Sequence, residues 1–266
     1  MVWSCLVSIL PGMAQTEKLT DYVNPFVGTD GYGNVYPGAQ IPFGGIQISP
    51  DTDSRFYDAA SGYKYNHLTL MGFSLTHLSG TGIPDLGDFL FIPGTGEMKL
   101  EPGTHEDPDQ GYRSRYSHDK EWASPNYYAV ELADYGVKAE MTSGVRSGMF
   151  RFTYPESDNA FIMIDMNHTL WQSCEWSNLR MINDSTITGY KLVKGWGPER
   201  HVYFTATFSK KLTGLRFVQD KKPVIYNTSR FRSSYEAWGK NLMACISFDT
   251  CLLYTSDAAD EARSVD

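Results

Sequence analysis

From about residue 86 onward, apolar and polar positions alternate with the period of a β-strand. In VKAEMT, Val137, Ala139 and Met141 fall on one face and Lys138, Glu140 and Thr142 on the other. Phe150, Phe152 and Tyr154 alternate with Arg151 and Thr153, and Val202, Phe204, Ala206 and Phe208 share one side of a third segment. The run FIMIDM at 161–166 is continuously apolar instead, the pattern of a strand covered on both faces. Turn signals separate these runs at Asp134-Tyr135-Gly136, Tyr154-Pro155-Glu156, Asn183-Asp184-Ser185 and Asp220-Lys221-Lys222-Pro223. Helical period is nearly absent, with room for one short helix around Ser233 to Leu242. The pattern predicts an all-β chain folded as a large antiparallel β-sandwich.

Residues 28–95 read differently, as loop interrupted by short strands such as GGIQISP and DFLFIP. A long irregular segment inside a compact domain is usually functional. Its first part, GTDGYGNVYPGAQIPFGG, lacks the lysine and hydroxyl of a phosphate loop and the G-x-G-x-x-G of a dinucleotide turn. It interleaves Asp30, Tyr32, Asn34 and Tyr36 with glycine, so flat rings alternate with short hydrogen-bonding groups. That mixture suits a neutral polyol such as a sugar; a purely structural turn accounts for the loop equally well.

The chain of 266 residues is long enough for one large β domain or two smaller ones. A net charge of −8 without any basic stripe argues against a nucleic-acid partner. The start, MVWSCLVSILPGMAQTEK, resembles the apolar core of a secretion signal, with cleavage expected after Ala14; this places the protein in a periplasm or outside the cell. No other apolar run approaches the ~20 residues of a membrane span. Cys174 and Cys245 read either as a disulfide or, the preferred reading, as two buried thiols. The end, CLLYTSDAADEARSVD, resembles the translation of a sequencing-library adaptor. The expected organisation is a partial signal over 1–14, a β-sandwich domain over 15–250 and a foreign tail over 251–266.

No G-x-S-x-G elbow and no H-E-x-x-H occurs, so neither a hydrolase serine nor a zinc site is expected. His77 and Ser79 in THLSGTG could be drawn as a base and nucleophile, but no third group orients them. Glycoside hydrolysis needs two carboxyl groups flanking the bond. Asp51, Asp53, Asp58, Asp85 and Asp88 are the available acids, yet their settings, SPDTD and IPDLGD, favour residues that cap nearby backbone N–H groups. No catalytic residue and no metal ligand is assigned.

Three stretches, VNPFVGTDGYGNVYPGAQIPFGGIQISPDT, SGYKYNHLTLMGFSLTHLSGTGIPDLGDFLFIP and YGVKAEMTSGVRSGMFRFTYP, resemble the N-terminal domain of glycoside hydrolase family 92, the exo-acting α-mannosidases. The resemblance runs from about Asp21 to Thr250. It implies a galactose-mutarotase-like β-sandwich followed by an (α/α)6 domain as partner, with the active site between them. It implies calcium, the general acid and the base in that second domain, an inverting reaction, and mannose-containing glycans of N-glycan type as substrates. On the same ground Asp30, Tyr32, Asn34 and Tyr36 become candidate sugar contacts. Tyr57 and Asp58 join them, in a stretch that is tryptophan-rich in some relatives. A further strand is expected after ACISFDT; without it the sandwich should have an unpaired edge and be prone to aggregate.

Overall fold

The predicted strands form where their apolar faces can be buried. Residues 18–54, 57–225 and 235–250 are described by the computed structural model, which leaves the side chain of Asp58 undescribed; apart from four short 3-10 segments, the regular structure among them is β. The expected signal over 1–14 and the tail over 251–266 lie outside the described residues.

The centre is an eight-stranded antiparallel sheet. In spatial order its strands are Ala39–Gln40, Gln47–Asp51, Gly72–Ser74, Leu90–Thr95, Ala160–Asp165, Leu242–Phe248, Gly214–Gln219 and Lys222–Pro223. Two four-stranded sheets lie side by side on one of its faces. The first orders Gly148–Thr153, Val137–Ser143, Tyr127–Leu132 and Glu121–Ser124; the second orders Arg200–Thr207, Thr186–Lys194, Ser173–Asn183 and Glu236–Gly239. Ile48 and Phe73 of the central sheet pack with Tyr128, Val130, Ala139 and Met141 of the first. Phe91, Ile162, Ile164, Ala244 and Ile246 pack with Leu179, Ile187, Ala237 and Phe204 of the second. Phe150 and Phe152, stacked 5.3 Å apart, touch both cores.

The other face of the central sheet carries Leu90, Ile92, Phe161, Met163, Met243 and Cys245, which pack on Met71, Met98, Leu100 and Tyr112. The strand at 160–165 is therefore covered on both sides, which its unbroken apolar run predicts. Burial of each such side chain stabilises the fold by about 1.5–3 kcal/mol. Cys174 and Cys245 are buried free thiols in different sheets, and burial raises the pKa of both.

Three features depart from expectation. The described part of the proposed helix at 233–242 is a strand: Ala237 turns into the core and Trp238 outward, and the backbone pairs with 177–180. Period-two burial against a partner strand outweighs any helical propensity here. Leu242–Phe248 does not border an open edge, because Ala160–Asp165 and Gly214–Gln219 flank it on both sides. Glu140, on the wet side of its strand by alternation, is buried. Two hydrogen bonds from Arg151, each 2.9 Å, and one from Tyr127 compensate it and lower its carboxyl to about 2.

Candidate functional site

Register aligns Leu90, Asp165 and Met243 across three strands at one end of the central sheet, and His168 follows just beyond Asp165. Beneath them runs a buried polar chain. Asp51 is fully buried; its Oδ1 lies 2.8 Å from His77 Nε2 and its Oδ2 2.7 Å from His168 Nε2. Both nitrogens of His77 face oxygen atoms, since Nδ1 is 2.8 Å from the Gln47 carbonyl. The His168 carbonyl accepts from Lys191 Nζ at 2.7 Å. Lys191, buried in mid-strand, pairs with Asp88 at 3.1 Å, and Asp88 also binds Arg200 and accepts from Thr76 Oγ1. Arg200 reaches Asp85, which caps the backbone N–H of Leu86 and of Trp196. The chain thus ties the loops to both the central sheet and the second four-stranded sheet.

These contacts decide what the carboxylates can do. Burial by itself would raise the pKa of Asp51, but the two imidazoles outweigh it and hold the group well below the carboxylate range. Asp88 behaves alike: burial raises it, Lys191 and Arg200 more than offset this, and the net shift is downward. A general acid needs a proton near neutral pH, so neither group fits that role. Asp85 does cap, in keeping with the preferred reading; Asp51 and Asp88 are ion-paired rather than capping, and Asp53 meets His105 at 3.2 Å. The His77–Ser79 pair does not form, because His77 is buried and spends its nitrogens elsewhere while Ser79 is exposed. Ser74 touches the same His77 nitrogen that serves Asp51, which leaves no base to activate it.

Above this chain lies an open rim. The glycine-rich loop is pinned onto it: Lys64 Nζ donates to the Gly31 carbonyl at 3.0 Å, and Gly80 N–H to the Asn34 carbonyl at 2.7 Å. Asp30 is exposed and Tyr32 is 91% exposed at the tip. Asn34 sits at φ +50° with its amide N–H₂ on the Tyr32 carbonyl, which leaves its buried Oδ1 without a donor. Tyr36 departs from the others. It is buried, bonded to Gln40, with its ring 5.1 Å from that of His77, so it supports the loop from within. Tyr57 is exposed and stands edge-on to Trp171, the ring centroids 4.6 Å apart.

Trp171 was not foreseen from the pattern. It is 54% exposed and held at φ +70°, a conformation that a bulky residue adopts only when its surroundings impose it. Next to it the Gln172 amide donates to the Pro84 carbonyl, leaving a second buried amide oxygen without a donor. Trp171, Gln172, His168, Asn167 and Asp165 line a cleft of about 610 Å³. The one signal for them in sequence is a tryptophan in the polar turn NHTLWQ.

The loops at this end of the sandwich thus carry the exposed rings of Tyr32, Tyr57 and Trp171, while Asp51 and Asp88 beneath them are held in ion pairs. The chain belongs to glycoside hydrolase family 92: the family's N-terminal domain, described as Glycosyl hydrolase family 92 N-terminal domain, matches residues 22–252. It is 30% identical over 139 residues to an uncharacterized secreted glycosidase of Arthroderma benhamiae, a match that covers 52% of this chain and 17% of that protein. Among solved structures it is similar to the gh92 family glycosyl hydrolase ccman5, with TM-score 0.70, 26% identity, and coverage of 86% of this chain and 30% of that one. The Family GH92 Inverting Mannosidase BT2199 from Bacteroides thetaiotaomicron VPI-5482 shares the fold, with TM-score 0.71, 23% identity, and coverage of 89% and 30%. The chain spans less than a third of the length of each of these proteins.

Proposed function

We propose that this chain is the pocket-shaping front of a secreted, calcium-dependent, inverting α-mannosidase that acts on N-glycan-type mannosides, and that it does not hydrolyse them alone. The observation that carries the reading is the family match over residues 22–252, with Tyr57 and Trp171 presenting exposed rings in contact beside the cleft that Trp171 and Gln172 line. Pyranose C–H faces would stack on these rings and on Tyr32, and Asn34 would hold the Tyr32 tip in place through its bond to the Tyr32 carbonyl. Asp30 and Asp58 are further candidate contacts from the same loops, while Tyr36 acts by holding the loop.

Calcium in this reading belongs to the (α/α)6 partner domain. Among the described residues no group of three or more His, Cys, Asp or Glu could hold a metal, and Asp51 and Asp88 are engaged by His168 and Lys191. Secretion is supported by the secreted glycosidase among the relatives. The test is a mannoside hydrolysis assay on this chain alone and joined to the partner domain encoded at its genomic locus. The chain alone should give background turnover and the joined protein clear turnover, with kcat/KM lowered about tenfold or more by Asn34→Ala. Turnover by the chain alone that Asp85→Asn abolishes would overturn the reading.

A further inference from the structure

The outer face of the second four-stranded sheet carries a feature that the rim does not use. Register aligns Tyr203 with Tyr190, Tyr190 with Asn178, and Asn178 with Trp238, so four side chains form one row across all four strands. Their neighbours along each strand, such as Phe204, Gly189, Leu179 and Ala237, are the inward positions, which turns the row to solvent. Tyr203 is 70% exposed and Trp238 52%; the rings of Tyr190 and Tyr203 are 4.9 Å apart. A second row runs beside it, with His201 opposite Leu192 and Leu192 opposite Trp176, itself 46% exposed. Tyr190 OH bonds His201 Nδ1 at 2.9 Å, and the Asn178 amide donates to Glu236.

We infer that this face binds a neutral polysaccharide, laid across the strands with its sugar rings stacked on Tyr203, Tyr190, Trp176 and Trp238. A strand-borne row is flat and rigid, so ordering it on binding costs little. Rings alternate with amide, imidazole and phenol groups that can exchange hydrogen bonds with hydroxyls. Charges of both signs are present on the face: Arg180 stands opposite Glu236, Lys194 ends its strand, and Glu199 lies 2.7 Å from His201. Mixed signs without a single-sign patch suit an uncharged partner better than an acidic or basic one. None of these residues lines the cleft at the rim, so the site is independent of the proposed pocket.

Affinity electrophoresis of the full chain in gels containing soluble α-mannan or a neutral β-glucan tests this. At least one polymer should retard the protein, and Tyr203→Ala with Trp238→Ala should weaken the retardation about tenfold or more. Met149→Ala, at a 50% exposed position of the first four-stranded sheet, should leave it unchanged. Because both row residues are exposed, the double variant should unfold at the wild-type temperature; Trp238→Phe, which keeps a ring, should retain most of the binding. No retardation by either polymer, retardation untouched by the double variant, or sedimentation showing that this face instead joins two copies of the chain would overturn the inference.

Discussion

His168 Nε2 lies 2.7 Å from Asp51 Oδ2, although 117 positions separate the two residues. Asp51 ends a strand of the central sheet and His168 follows another, so this contact helps close the fold at the end that carries the candidate site. Asp51→Asn should cost about 3–5 kcal/mol, because it leaves two buried imidazoles without their anion. Equilibrium urea unfolding measures it, and a loss below about 1 kcal/mol would show the contact to be incidental.

Acid should act through the same groups. Asp51 and Asp88 both have native pKa values depressed below the unfolded carboxylate value of about 3.9. Their contribution is therefore fully present above that value and is lost as pH falls through the lower native values. Urea midpoints measured from pH 7 to pH 2 should stay level with respect to these groups until about pH 4 and then drop. Asp51→Asn should show a shallower drop; an unchanged acid limb would assign the transition to other groups.

Lys191 and Asp88 form a buried pair inside the second sheet's core. Asp88→Asn should destabilise by about 3–5 kcal/mol, because it leaves both Lys191 and Arg200 without their carboxylate, whereas Lys191→Met should cost less, about 1–3 kcal/mol, because Asp88 keeps Arg200 and Thr76. The double variant should cost clearly less than the sum of the two. A double-mutant cycle gives the coupling directly; strict additivity would mean that the pair is not coupled.

Two glycines in left-handed conformations should respond very differently to alanine. At Gly62, φ +85°, a Cβ would sit 2.0 Å from Asp51 Oδ1; at Gly31, φ +58°, it would meet nothing within 4 Å. Gly31→Ala should cost about 1 kcal/mol of backbone strain. Gly62→Ala adds displacement of a buried ion-paired carboxylate and should cost several times more, of order 3–5 kcal/mol. Similar melting temperatures for the two variants would contradict this account.

The two buried thiols offer a probe of the fold. Iodoacetamide labelling read by peptide mass spectrometry should leave Cys174 and Cys245 unmodified in the native chain and modify both in denaturant, because burial blocks access and disfavours the thiolate. Rapid native labelling of Cys245 would show that the central sheet opens locally.

The strands were largely legible in the sequence because alternation is a local signal: Val137, Ala139 and Met141 point inward wherever the sheet is placed, and the apolar run at 161–166 needs cover on both sides in any fold. The rim was half legible. Asp30, Tyr32 and Tyr57 stand out as polar or aromatic residues in glycine-rich or irregular chain, and the structure leaves all three exposed. Trp171 and Gln172 were not read, because what distinguishes them is a ring contact with Tyr57, more than a hundred residues earlier, and a hydrogen bond from the Gln172 amide to the Pro84 carbonyl.

By itself, then, the sequence determined the class of fold, the faces of its strands, the family and the loop that forms part of the rim, all of which depend on short-range period or contiguous motif. Tertiary structure alone decided which aspartates are ion-paired and which cap, that Tyr36 is turned inward, that Lys191 is buried, and that Tyr203, Tyr190, Asn178 and Trp238 form a row. Burial and ion pairing depend on which distant segments share a site, and register depends on pairing between strands. Neither quantity is a property of any one stretch of chain.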